Sequence, residues 1–138
     1  MVNALLMRVQ QSGRIDQLSP EHLALVKQGL DYYRTIRADI PNSLPFWPTG
    51  LPSFESDHVS VGLRCPQKCY IAVWRLRDDQ PNIALSLPQF QNQQLDVRCN
   101  YPAGEKIRTE WNPATFTLAV FLEQPATARI LEVRGKAQ

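Results

Sequence analysis

From His58 to Val133 apolar residues recur at every second position, and most runs stop at a proline. A period of two puts successive side chains on opposite faces of an extended chain, so over half the molecule is committed to half-buried β-strands. Seven runs are legible. Val59, Val61 and Leu63 alternate with small or polar residues, and Ile71 and Val73 oppose Tyr70, Ala72, Trp74 and Leu76. Ile83, Leu85 and Leu87 lead to Pro88, and Leu95, Val97, Cys99 and Tyr101 lead to Pro102. Ile107, Thr109 and Trp111 lead to Pro113, and Phe116, Leu118, Val120 and Leu122 lead to Pro125. Ala128, Ile130, Leu131 and Val133 close the series. Turn signals separate the runs with no helical periodicity between them. The pattern predicts a mainly β fold: an antiparallel β-sandwich of about seven strands with Greek-key connections. Cys65-Pro66-Gln67-Lys68 reads as a hairpin turn and residues 89–94, QFQNQQ, as a polar loop.

The N-terminal part has a different period. Ala4, Leu5, Leu6 and Val9 form a short helical stripe, with Gly13 as a C-cap signal. Ser19-Pro20-Glu21 is a helix start: a serine N-cap, proline at the first helical position and an acid in the first turn. Leu23, Val26, Leu30, Tyr33 and Ile36 follow on one face of a helix that ends before Pro41. Gly29 inside that helix costs about 1 kcal/mol relative to alanine, which points to close packing there. Residues 41–54, PNSLPFWPTGLPSF, hold four prolines and read as an extended strap, neither helix nor central strand. The expected organisation is one or two helices over 1–40, a Pro-rich strap over 41–57 and a sandwich over 58–138.

With 138 residues, 43% of them hydrophobic, the chain is long enough to bury a core without staples. Residues 1–45 carry five Lys/Arg and four Asp/Glu, and the remainder carries ten and nine. With no basic block, no nucleic-acid partner is expected. No apolar stretch approaches the roughly 18 residues of a membrane span, so no membrane partner is expected. The N-terminus lacks a basic n-region and an A-x-A site, so a cytoplasmic protein is the expectation.

Chemistry-bearing residues are sparse. Cys65, Cys69 and Cys99 with His22 and His58 supply too few well-spaced ligands for a closed zinc site, so neither metal nor cofactor is expected. Asp78-Asp79 reads as a solvated turn, and Glu55, Asp57 and His58 as the approach to the first strand. There is no Gly-rich phosphate loop, no G-x-S-x-G and no H-E-x-x-H, so no catalytic residue is assigned. Trp47, Trp74 and Trp111 are the candidate carbohydrate platforms, weighed against core positions, with Trp111 expected to be the most exposed.

Two segments, QSGRIDQLSPEHLALVKQGLDYYRTIR and SLPFWPTGLP, resemble the end of the large bacterial alpha-galactosidases of glycoside hydrolase family thirty-six. The strands V-S-V-G-L-R and C-Y-I-A-V-W-R extend the resemblance, which is specific over residues 2–76 and a matter of pattern over 77–138. The resemblance implies a retaining glycosidase with an N-terminal β-sandwich, a (β/α)8 barrel carrying two catalytic aspartates, and a C-terminal antiparallel β domain. Neither aspartate maps onto this chain. Residues 1–40 would match the last barrel helices, and 58–138 the C-terminal domain.

The first functional expectation is therefore a non-catalytic domain that braces a catalytic barrel or supports assembly. The second is a free-standing carbohydrate-binding module. A third expectation is self-association as a homodimer or higher oligomer. It would run through Leu5, Leu6, Val9, Leu23, Val26 and Leu30, the apolar helical residues left without a barrel.

Overall fold

The alternating runs become two facing sheets in the computed structural model, which describes residues 1–10, 12–77 and 80–136. The strands are β1 (Leu44–Phe46), β2 (His58–Arg64), β3 (Lys68–Arg75), β4 (Asn82–Ser86), β5 (Gln94–Tyr101), β6 (Arg108–Asn112), β7 (Thr117–Phe121) and β8 (Thr127–Lys136). One sheet has the order β1-β2-β3-β8-β5 and the other β4-β7-β6, with every pairing antiparallel. The chain changes sheets after β3, β4, β5 and β7, and β8 fills the gap between β3 and β5. All seven expected strands are present. The eighth, β1, lies in the strap at the edge of the larger sheet, the one place where Pro45 without its N–H costs no ladder bond.

Two cores result. Between the sheets lie Cys69, Ile71 and Val73 of β3, Ile83 and Leu85 of β4, Leu118 and Val120 of β7, and Leu131 and Val133 of β8. On the outer face of the larger sheet, α1 (Val2–Leu5) and α2 (Pro20–Ile36) cover a second core. It contains Val2, Leu5, Leu6, Ile36, Leu63, Tyr70, Ala72, Tyr101 and Ile130. The first helix and the last turns of α2 are thus packed onto the sandwich through a shared core. No helix among the described residues is long and apolar enough to cross a membrane.

The start of α2 follows the sequence signals: Ser19 caps it, its Oγ accepting from the His22 N–H at 3.3 Å, with proline next. Gly29 is buried as expected, since a Cβ there would lie 2.9 Å from Met1 Cε and 3.3 Å from the Tyr101 ring. The first helix is shorter than the stripe suggested. It ends at Leu5, so Gly13 does not cap it. Four residues have little helical stability of their own, and burial of Val2 and Leu5 holds this turn in place.

Three sequence readings shift. Cys99 and Tyr101 do not share a face. A bulge in the β5–β8 ladder between them leaves Cys99 against the inter-sheet core and turns Tyr101 toward the helices. In β2 the inward positions are Ser60 and Gly62, which pair with Val73 and Ile71, while Val59, Val61 and Leu63 face the other way. Small residues are needed there because the strap closes over them: Phe46 lies on Gly62, and the Thr49 N–H donates to Ser60 Oγ at 3.0 Å. The stretch QFQNQQ is not wholly solvated, because Phe90 ends a 3-10 turn (Pro88–Phe90) inside the inter-sheet core.

Candidate functional site

The three tryptophans lie on three different surfaces. Trp111 of β6 is half-buried against the inter-sheet core, its Nε1–H donating to the Gln93 carbonyl at 3.0 Å. Trp74 of β3 faces the helical layer and donates to Asn3 Oδ1 at 3.0 Å. Trp47, in the strap, is 44% exposed, so it and not Trp111 is the most open of the three. The expectation for Trp111 fails because its side of β6 faces the inter-sheet core, where the Gln93 carbonyl accepts the indole N–H. Trp47 borders a cleft of about 520 Å³ with Leu44, Phe46, Arg64, Ser86, Pro88 and Gln89.

Among the described residues, ionisable groups gather in no catalytic array. Asp57 lies 3.6 Å from Arg77, and His58 Nε2 meets the Gln80 carbonyl at 3.1 Å, so this cluster braces the approach to β2. Asp78 and Asp79 lie outside the described residues. Cys65 and Cys69 do not face each other across their hairpin. Cys65 belongs to the helix-side core and Cys69 to the inter-sheet core, and both are free thiols. Burial pushes all three cysteine thiols up. Among the described residues no three His, Cys, Asp or Glu side chains gather as a metal ion would require.

Of the six side chains expected at an interface between copies, Leu5 and Leu6 are buried in the chain's own second core. They are unavailable to a second copy because α1 lies flat on the larger sheet. Val9 packs beside them, Val26 and Leu30 are half-buried, and Leu23 is exposed. The larger open apolar surface is on the strap, where Phe54 is fully exposed, Leu51 is 80% exposed, and Leu44 and Trp47 are open as well.

A second cleft, of about 620 Å³, lies between α2 and the outer face of the larger sheet. Its helix wall carries Gln28, Asp31 and Tyr32, and its floor carries Lys68, Tyr70, Asn100, Glu132 and Arg134. Strand register builds this floor, since Tyr70 pairs with Glu132 and Lys68 with Arg134. Asp39 offsets the adjacent cations. It accepts from Tyr70 Oη at 2.6 Å and lies 2.9 Å from Lys68 Nζ, and these two partners hold its carboxyl below its ordinary range. The Tyr32 hydroxyl is buried without a hydrogen-bond partner, and burial pushes it well above the usual phenol range. The nearby Asn100 opposes that rise without reaching hydrogen-bond geometry. None of the tryptophans or interface leucines and valines singled out in the sequence marks this cleft. Its polar side chains sit at ordinary outward strand positions, and only the bulge at Asn100 and the seat of α2 bring them together.

No family model matches the chain, and no curated protein matches it. Among solved structures, it is similar to part of the GH36 alpha-galactosidase AgaA from Geobacillus stearothermophilus, solved in complex with raffinose. The likeness has a TM-score of 0.63 at 14% sequence identity and covers 88% of this chain. This chain spans 17% of that one. The fold of most of this chain is therefore similar to that of one portion of a much longer glycosidase.

Proposed function

We propose that this chain is a non-catalytic C-terminal β-sandwich domain of an alpha-galactosidase-type glycoside hydrolase, bracing a catalytic unit supplied by other residues of its parent protein. The observation that carries the reading is the match of nearly the whole chain to a minor portion of a GH36 enzyme. The open strap supports it. Leu44, Trp47, Leu51 and Phe54 are exposed on a segment that prolines stiffen. Burying a side chain of this size contributes about 1.5–3 kcal/mol, so docking this surface on a larger body is favourable. The carboxylates of the larger cleft are engaged structurally, Asp31 with Lys27 and Arg34, and Glu132 with Arg134. The test is the parent coding sequence together with an activity assay. An in-frame (β/α)8 barrel upstream, and no hydrolysis of an aryl alpha-galactoside by the 138-residue chain, are expected. Turnover that survives rigorous purification, or a gene that encodes nothing more, overturns the reading.

A carbohydrate-binding module is the second reading, and the exposure of Trp47 beside Arg64 and Gln89 favours it. Quenching of Trp47 fluorescence by galactose, lost in Trp47→Phe, would support this second reading over the first.

A further inference from the structure

We propose that the open edge of β4 is a docking surface for a second copy of this chain, which adds its own β4 antiparallel across a two-fold axis at Ile83. The proposal rests on backbone geometry and does not depend on either functional reading above. In an antiparallel ladder, alternate residues turn both their N–H and C=O toward the same neighbouring strand. Two flanking bonds fix that alternation between β4 and β7. The Leu87 N–H donates to the Phe116 carbonyl at 2.8 Å, and the Leu122 N–H to the Pro81 carbonyl at 2.9 Å. With Ile83 opposite Val120 and Leu85 opposite Leu118, these two residues spend their backbone groups on β7. Asn82, Ala84 and Ser86 therefore point theirs away from β7, to the side where β4 has no neighbouring strand. The strap takes one of these groups, the Ser86 N–H, which donates to the Pro48 carbonyl at 2.9 Å. Among the described residues the N–H and C=O of Asn82 and Ala84 meet no backbone partner.

The other sheet edges are guarded against strand addition. Pro45 sits in β1, a bulge with Asp96 and Arg98 in β5, and Arg108 and Glu110 in β6. β4, Asn-Ile-Ala-Leu-Ser, has no charge, no proline and no break in register, and its outward side chains are small and exposed. A second β4 matches it by symmetry. Asn82 opposite Ala84 of the second copy makes a hydrogen-bonded pair, and the two-fold axis repeats it. Four backbone bonds form, Ser86 keeps its bond to the strap, and no like charges are brought together. The three-stranded sheet becomes six-stranded. So few bonds make a weak, concentration-dependent dimer.

Sedimentation equilibrium of the full chain over a dilution series, paired with amide hydrogen exchange by NMR, tests this. The expected result is a monomer–dimer equilibrium in which the Asn82 and Ala84 amides gain protection as dimer forms, while Ser86 does not change. Ala84→Pro removes two of the four donors at an edge position where proline is tolerated, and should weaken dimerisation about tenfold. Ala84→Lys places a charge beside the axis at an exposed position, and should weaken it as well if the proline variant folds poorly. Leu23→Ser, on the exposed face of α2, should leave it unchanged. A monomer up to millimolar concentration, a dimer whose Asn82 and Ala84 amides stay unprotected, undiminished dimerisation in both Ala84 variants, or its loss in Leu23→Ser would overturn the proposal.

Discussion

Tyr70 donates its phenolic proton to Asp39 Oδ2 across 2.6 Å, tying the centre of β3 to the turn that follows α2. Lys68 Nζ reaches the same carboxylate oxygen at 2.9 Å and lies 4.8 Å over the Tyr70 ring centre. Three groups from two parts of the chain thus fix how the helical layer sits on the sheet.

That arrangement predicts an acid-sensitive contribution to stability. Tyr70 and Lys68 hold the folded-state Asp39 pKa below its unfolded value. The contribution is therefore complete above about pH 4, the ordinary aspartate range, and is lost as pH falls through the folded-state pKa. Asp39→Asn keeps an acceptor for Tyr70 and removes the titration. Urea unfolding at about pH 6 and about pH 3 should show a smaller acid loss in the variant than in the parent. Equal losses would show that Asp39 does not carry this limb.

Arg75 is a buried cation, 5% exposed, whose Nη1 donates to the Leu122 and Glu123 carbonyls at 2.7 and 2.9 Å. It clamps the end of β7 to β3 across the sandwich. Arg75→Met leaves two carbonyls without this donor and should destabilise by about 2–3 kcal/mol, as loss of a charged hydrogen bond does. Arg75→Lys should fall between, because one ammonium does not reproduce the guanidinium fork. A methionine variant as stable as the parent in urea would show that packing alone holds the sheets there.

Gly62 should tolerate no side chain. A Cβ there would lie 2.3 Å from the Phe46 ring, which the strap lays across β2. Gly62→Ala should cost about 1–3 kcal/mol through overpacking. Combining it with Phe46→Leu should cost less than the sum of the single changes, because the two residues share one space. Strict additivity in the double-mutant cycle would mean that the strap does not rest on Gly62.

Tyr32→Phe should stabilise the chain by about 1 kcal/mol, because it removes a buried hydroxyl that has no partner. Thermal unfolding of both proteins in the same buffer is the measurement. A lowered midpoint would show that the hydroxyl is satisfied in solution.

The chain's local chemistry determined its elements. Period-two alternation placed seven strands, Ser19-Pro20-Glu21 opened α2, and the prolines of 41–54 confined the strap to an edge. These are short-range consequences of side-chain alternation, capping and a missing N–H, and each can be read within a few residues. Tertiary structure decided which faces meet. A one-residue bulge sent Tyr101 to the opposite face from Cys99, which strict alternation had grouped together. Folding of α1 onto the larger sheet turned Leu5 and Leu6 from prospective interface residues into core. Trp111 turned inward because a backbone carbonyl from a distant loop was there to meet it. The polar cleft was invisible in the sequence for the same reason. Tyr32, Asn100 and Glu132 stand far apart along the chain, and only strand register and the seat of one helix set them around a common space.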